Sequence, residues 1–195
     1  GAARRPAGGV ALDHHGGLVV SDQLNDRIRR IAPDGTVTTI AGNGQTGFNG
    51  DGIAATSAAL DSPLEVAVDA AGGVVFVDVD NHRVRRITPQ GTIETIAGTG
   101  VAGNSGDGGL AVAARLDEPT GVAIDDQGNV YIADFASHVV RLVTGDGLIR
   151  TVVGTGVAGS SGDGGPATAA QLNEPASLAI GPDGSLLIAD SGNAR

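Results

Sequence analysis

The chain repeats itself with a period of 56 residues, and no other feature restricts its fold as strongly. Five positions recur at this interval. They are Asp22, Asp78, Asp134 and Asp190; Leu60, Leu116 and Leu172; Pro63, Pro119 and Pro175; Gly42, Gly98 and Gly154; and Asp51, Asp107 and Asp163. From Val10 onward the register holds without an insertion or deletion. A fixed period kept over several copies is the signature of a repeat architecture.

Each copy contains four short segments with the pattern of β-strands. In the third copy, Val122 and Ile124 alternate around Ala123, and the segments 129–134, 138–143 and 148–154 follow after tight turns. Period-two alternation of β-branched residues between Gly, Asp, Asn and Pro predicts strands. Four antiparallel strands per repeat, joined by short connections, form the blade of a propeller. A β-helix would need a shorter repeat, and a sandwich would not repeat in sequence.

The sequence therefore predicts an all-β fold, a β-propeller of four-stranded antiparallel blades with about three and a half blades present. We expect one partial propeller domain over residues 1–195, with repeats at about 10–65, 66–121 and 122–177 and an incomplete one at 178–195. Such an arc exposes unpaired strand edges, which proteins normally avoid. Two explanations stay open: further blades follow in a longer parent protein, which we favour, or two copies associate as a homodimer that completes the propeller.

Two segments depart from the simple strand-and-turn pattern. The sequence Arg-Ile-Arg-Arg-Ile at 27–31 breaks the alternation and predicts a β-bulge in the third strand. A linker of about twenty residues joins the fourth strand of one copy to the first strand of the next, and so long a loop has structure of its own or carries a function. In the third linker, residues 166–172 begin with Pro and are rich in Ala, which predicts one short helical turn.

The chain is strongly acidic, with a formal net charge of −10, and all 12 of its basic residues are Arg. Acidic chains repel phosphate backbones, so we expect no binding of nucleic acid. The charge suits divalent cations, cationic partners or solubility alone. There is no cysteine, hence no disulfide or thiolate metal site. No apolar run approaches the ~18 residues of a transmembrane helix, so we expect no membrane insertion in this segment.

Strand direction sorts the loops onto two faces. The second-to-third turns and the long linkers share one face, called the upper face below, and it gathers the acidic residues. Loops on a rigid scaffold are the usual place for binding residues. The candidate binding residues are Asp51, Asp107, Asp163, Asp117, Glu118 and Glu174.

The first three of these candidates lie in Gly-Asp-Gly motifs of the linkers. Three roles stay open for these aspartates: shaping the loop, binding Ca²⁺ or contacting a ligand. The neighbouring glycines are consistent with each role, because they allow positive φ and close approach of the backbone. The motif lacks the spacing and the Glu of a calcium loop and the Lys of a phosphate loop. We expect no cofactor, with Ca²⁺ as the one candidate.

A second set of polar residues recurs at the ends of the second strands. We interpret Asp22, Asp78, Asp134, Asp190, Asn25 and Asn81 as structural turn caps, because carboxylates and amides in tight turns bind backbone N–H groups. Cation binding is the alternative for the aspartates. Arg27 and Arg83 recur beside them and could close ion pairs, although Val139 stands at this position in the third copy.

No catalytic or metal-binding constellation is predicted. His82 and His138 occupy one repeat position in a peripheral turn, which does not suit a zinc site built from separate strands. A catalytic residue in a repeat protein should depart from the consensus. The departures are Phe48, Glu65, Phe76, Phe135 and Arg150, and none is a plausible catalyst alone.

Three segments resemble the NHL repeat family of β-propellers. They are Ser-Asp-Gln-Leu-Asn-Asp-Arg-Ile at 21–28, Val-Asp-Val-Asp-Asn-His-Arg-Val at 77–84, and Ile-Ala-Asp-Ser-Gly-Asn-Ala-Arg at 188–195. The third copy departs to Ser137-His138-Val139-Val140. The long linkers are similar to those of a bacterial subgroup often found in secreted or membrane-tethered proteins. The resemblance implies a propeller and leaves the function open, because relatives include ligand sensors, adhesion and signalling domains, RNA binders and an amidating lyase.

Two functions are consistent with the sequence. The first is a non-enzymatic binding or scaffold propeller, secreted or extracytoplasmic, that presents its acidic face to a protein or a small ligand. The second is a propeller enzyme of the lyase or hydrolase type whose active site lies in blades outside this segment.

Overall fold

The computed structural model describes residues 8–195, in which the strands form four antiparallel sheets. Blade 1 contains β1 (Val10–Leu12), β2 (Leu18–Asp22), β3 (Arg27–Ile31) and β4 (Val37–Ala41). Blade 2 contains β5 (Pro63–Val68), β6 (Val74–Asp78), β7 (Arg83–Ile87) and β8 (Ile93–Ala97). Blade 3 contains β9 (Pro119–Ile124), β10 (Val130–Asp134), β11 (Val139–Val143) and β12 (Ile149–Val153), and blade 4 contains β13 (Pro175–Ile180) and β14 (Leu186–Asp190). The predicted all-β propeller with about three and a half blades is confirmed; residues 1–7 of the predicted domain lie outside the described range.

The first strand of each blade lies at the centre of the arc. There β5 contacts both β1 and β9, and β9 contacts β13. Neighbouring blades pack face to face through layers of branched and aromatic side chains, because alternate residues of each strand point to one sheet face. Ile28 and Phe76 are fully buried between blades 1 and 2, and Val77 and Ile132 between blades 2 and 3. The core is therefore a series of layers between blades.

Each of the first two linkers pairs with the outer strand of the blade that follows it. In the linker 42–62, the Ile53 carbonyl accepts a hydrogen bond of 3.0 Å from the Ile93 N–H, and Gly52 N–H donates to the Ile93 carbonyl at 2.8 Å. The linker 98–118 repeats this pattern on Ile149. The long loops thus form an additional short edge on β8 and β12, which explains how about twenty residues without a regular strand stay ordered.

The predicted helical turn is present in a shorter form. Each linker contains one turn of 3₁₀-helix, at Ala55–Ser57, Ala111–Ala113 and Ala167–Ala169. Pro166 precedes the third turn instead of beginning it. Short alanine-rich segments form such turns readily, but longer 3₁₀ runs are uncommon because the geometry of their hydrogen bonds is poor.

The predicted bulge lies one strand further along the chain than expected. Ile28 pairs with Ala41 and Arg29 with Thr39, so the unpaired residue is Ile40 in β4, whereas β3 pairs with β2 without interruption. The same shift occurs at Val84/Arg85 in blade 2, and again in blade 3. Within residues 8–195, no helix is long and apolar enough to cross a membrane.

Candidate functional site

The strand-end aspartates fasten the end of each linker to the second strand of the following blade. Asp78 Oδ1 accepts a hydrogen bond of 2.7 Å from the Asp61 N–H, and Asp134 Oδ1 accepts one of the same length from Asp117. Asp190 receives the N–H of Asn173 in the same way. These carboxylates therefore bind backbone N–H groups just before the first strand, in addition to groups of their own turn.

The turn asparagines donate to the strand-end aspartates. Asn81 Nδ2 donates to Oδ2 of Asp78 at 2.9 Å, and Asn25 Nδ2 donates to Oδ1 of Asp22 at 2.7 Å. Asn81 also donates to the Gly47 carbonyl in the linker, at 2.8 Å. The amide thus bridges the strand end and the linker, which places both on the upper face as the sequence predicts.

Arginines two residues beyond the predicted ones pair with the strand-end aspartates, so the suggested ion pairs of Arg27 and Arg83 are wrong. Arg83 donates instead to the carbonyls of Asn81 and Thr99, at 3.0 and 2.7 Å, because these loop carbonyls lie at the exposed strand end. Arg85 Nη1 lies 3.3 Å from Asp78 Oδ2, and Arg141 Nη1 lies 3.7 Å from Asp134 Oδ2. Both of these guanidinium groups are fully buried.

Asp51 and Asp107 complete these buried clusters, and Asp163 forms a more exposed ion pair in blade 4. Asp51 receives Arg85 Nη2 at 2.9 Å, Asp107 pairs with Arg141, and Asp163 lies 3.4 Å from Arg195. These three candidate binding residues are thus each neutralised by an arginine, and their contacts fix the linker on its blade. Hydrogen bonds from Thr151 and the charge of Arg141 outweigh the effect of burial and lower the pKa of Asp107.

Burial changes the titration of the inner aspartates in the opposite direction. It raises the pKa of Asp78 to about 6 and that of Asp134 to about 7, because removal from water disfavours the charged form. The third repeat has Ser137 where the second has Asn81, and Asp134 Oδ2 has no hydrogen-bond donor. The amide donor that Asn81 supplies to Asp78 is thus absent at Asp134.

Asp117, Glu118 and Glu174 remain without a cationic partner in the part of the chain that the structure describes. Glu118 and Glu174 are exposed and have left-handed backbones, with φ of 49° and 55°. Their N–H groups donate to Nδ1 of His82 and His138 in the preceding blade, at 3.2 and 3.1 Å. The histidines of the preceding blades thus hold the backbone of both glutamates in the same conformation at equivalent points of the upper face.

The described residues contain no group of three or more His, Cys, Asp and Glu side chains placed to hold a metal ion. Ca²⁺ binding by the linker aspartates stays a prediction from the sequence. Arg85 and Arg141 already occupy oxygens of Asp51 and Asp107, so a cation would have to compete with a buried guanidinium.

Glu65 is a further polar residue at the centre of the arc, and the sequence marks it only as a departure from the repeat. Its equivalents in the other repeats are Gly9, Gly121 and Ser177. Glu65 Oε2 accepts the Val122 N–H at 2.8 Å, and Oε1 accepts the Ser177 hydroxyl at 2.5 Å. Burial raises the pKa of Glu65 against the opposing effect of these hydrogen bonds and of one from the Leu178 N–H.

Known proteins resemble this chain in sequence and in fold. The family model of the teneurin NHL domain matches residues 100–161. Teneurin-1 of Mus musculus is 28% identical over 211 residues, which cover 96% of this chain and 8% of the teneurin. The chain therefore spans less than a tenth of the length of this relative.

Two solved structures show the same architecture. A structural genomics protein of unknown function from Bacteroides thetaiotaomicron superposes with a TM-score of 0.74 at 28% identity, over 93% of this chain and 44% of that chain. Virginiamycin B lyase from Staphylococcus aureus gives a TM-score of 0.58 at 15% identity, over 92% and 47%, which is a likeness of fold alone. A bacterial origin stays a prediction, since the matches include animal and bacterial proteins. The repeat, the blades and these matches together support the resemblance of the chain to the NHL-repeat family of β-propellers.

Proposed function

We propose that this chain is a non-enzymatic binding propeller whose upper face recognises a positively charged protein or small ligand. The observation that carries the proposal is the pair Glu118 and Glu174. Both are exposed, both lack a cation, and both are held at the same position of neighbouring blades by the hydrogen bonds to His82 and His138. A fixed backbone places the two side chains at defined points of the upper face, which reduces the ordering that binding requires.

The charge of the whole chain supports a cationic partner. A net charge of −10 attracts a basic ligand over long distances and speeds its encounter at low ionic strength. The linker aspartates contribute less to this attraction, because Arg85, Arg141 and Arg195 neutralise them. The proposal therefore reduces the predicted binding set to Asp117, Glu118 and Glu174.

Charge neutralisation on the two faces tests the proposal. A decalysine peptide serves as the probe, and its affinity is measured by titration calorimetry for the wild type and for the double variant E118Q/E174Q. The variant should bind about fivefold more weakly at roughly 50 mM salt, since exposed charge pairs contribute up to ~1 kcal/mol each and are screened by salt.

The matched control removes the same charge from the opposite face. Asp126 and Asp183 lie in first-to-second turns and are exposed, so D126N/D183N changes the net charge equally. We expect this control to bind decalysine nearly as tightly as the wild type. An equal loss in both double variants would show that only the overall charge acts, and would refute recognition by the upper face.

A propeller enzyme is the second candidate, and Glu65 is the observation that favours it. A sheltered carboxyl group with a raised pKa is a common feature of catalytic sites. A screen of lactone and ester substrates would test this candidate with the wild type and E65Q. Turnover that E65Q abolishes, while decalysine binding stays intact, would favour the enzyme. Location outside the cytoplasm and closure by a homodimer stay predictions from the sequence.

A further inference from the structure

The centre of the arc contains a single long polar side chain among small residues. At the repeat position of Glu65, the other blades have Gly9, Gly121 and Ser177. The Glu65 side chain therefore extends from β5 across β9 to β13 and contacts two neighbouring blades. No other residue at this repeat position is long enough to do so.

Two hydrogen bonds reach the two oxygens of this carboxylate, and a third donor acts on it. The bonds come from the Val122 N–H at 2.8 Å and the Ser177 hydroxyl at 2.5 Å, and the Leu178 N–H opposes the rise of the pKa of Glu65. The backbone donors come from β9 and β13, the edge strands of their blades, so their outward N–H groups have no partner strand. Hydrogen bonds to a charged acceptor are stronger than those between neutral groups.

The Glu65 carboxylate leaves no room for a side chain at position 121 of β9. A Cβ atom added to Gly121 would lie 2.9 Å from Glu65 Oε2 and 2.8 Å from the Ala176 carbonyl oxygen. The Thr120 hydroxyl donates to the same carbonyl at 2.9 Å and holds β9 and β13 together there. Glu65 is partly buried, and this burial raises its pKa, whereas Ser177 is exposed to solvent.

We propose that Val122 N–H, Leu178 N–H and the Ser177 hydroxyl form a carboxylate-binding site at the propeller axis, and that Glu65 is its built-in ligand. The site recognises a carboxylate group whatever molecule carries it. The first strands supply the backbone donors, and the specific features are the glycine at 121 and the serine at 177. This inference does not depend on the binding proposed for the upper face.

Chemical rescue tests the proposal. Glu65→Gly introduces the residue that two other repeats have at this position. The substitution removes the carboxylate from the site and places no other side chain there. The melting temperature of this variant is measured in sodium acetate and in sodium chloride of equal ionic strength. About 100 mM acetate should raise it by about 3–6 °C over chloride, as expected for a ligand with a dissociation constant of roughly 10 mM that binds only the folded state.

Three comparisons make the result specific. The wild type and E65Q should have the same melting temperature in acetate and in chloride, because the side chain at position 65 already occupies the site. The double variant E65G/S177A should lose much of the acetate effect, since one donor is missing. If E65G does not fold in chloride, its refolding yields in the two salts are compared instead. Equal melting temperatures or equal yields of E65G in the two salts would overturn the proposal.

Discussion

The buried arginine of blade 3 offers a quantitative test of how the linkers are held. The guanidinium group of Arg141 is 0% exposed and faces two carboxylates, Asp134 at 0% and Asp107 at 50% exposure. Arg141→Met keeps the apolar stem and leaves Asp134 as a buried group without a cation. Removing one partner of a buried pair costs about 3–5 kcal/mol, and we expect a loss of this size in the free energy of unfolding.

Blade 1 supplies the matched control. Arg29 pairs with Asp22 at 3.2 Å through the same type of contact, but the two side chains are 33% and 27% exposed. Water compensates exposed charges, so Arg29→Met should cost only about 1 kcal/mol. Urea unfolding monitored by circular dichroism gives both values. The reasoning is refuted if R29M loses as much stability as R141M.

The pH dependence of the same variant adds a second readout. The pKa of Asp134 is raised to about 7, so the folded state binds a proton more tightly than the unfolded chain does. Stability from this group is therefore largest below the unfolded pKa of about 3.9 and falls as the pH rises toward 7. A neutral Asp134 needs no cation, so the deficit of R141M should shrink at about pH 5. A deficit that grows at low pH would contradict this assignment.

Three further outcomes follow from the geometry. Ser137→Asn restores the amide donor to Asp134 and should raise the free energy of unfolding by about 1 kcal/mol in urea titrations; no gain would mean that the amide does not reach the carboxylate. Gly98→Ala places a Cβ 2.3 Å from a backbone oxygen and should lower the free energy of unfolding far more than Gly91→Ala does. Gly91 also has positive φ but lies in open space, so its substitution should cost only about 1 kcal/mol. Equal losses would show that positive φ alone determines the cost. The pKa of Asp78 in the folded state is raised to about 6, so the wild type loses stability as the pH rises and Asp78→Asn does not. The free energy of unfolding of Asp78→Asn should therefore rise by roughly 3 kcal/mol relative to that of the wild type between about pH 3 and pH 7. Parallel pH profiles of the two free energies would exclude this titration.

The periodic part of the structure could be predicted from the sequence because each blade is built from local signals. Alternating residues such as Val122 and Ile124 determine strand and face, and turn residues determine the hairpins. Because the period is constant, a strand assignment that is correct for one copy applies to every blade. The bulge was placed in β3 because the charged run 27–31 disturbs the alternation there, but the extra residue Ile40 belongs to the partner strand. A single strand's sequence cannot show which partner contains the unpaired residue.

The candidate site was less predictable because its contacts join distant parts of the chain. Asp51 and Arg85 are 34 residues apart, and Glu65 and Ser177 are 112 apart. Spacing within one turn suggested Arg83 as the partner of Asp78, whereas packing against the linker selects Arg85. The signal for Glu65 was present, since it interrupts a series of small residues in the repeat. Only the convergence of the first strands reveals what that carboxylate contacts.

The pairing of each linker with the outer strand of the next blade sets the boundaries for protein engineering. The contacts of Asp51 with Arg85, of Asn81 with Gly47 and of Ile93 with Ile53 all fall within residues 42–97. A module cut at the start of a linker keeps these contacts, whereas one cut at the start of a first strand loses them. Residues 42–97 and 98–153 are therefore the units to exchange, duplicate or delete when propellers of new blade number are built.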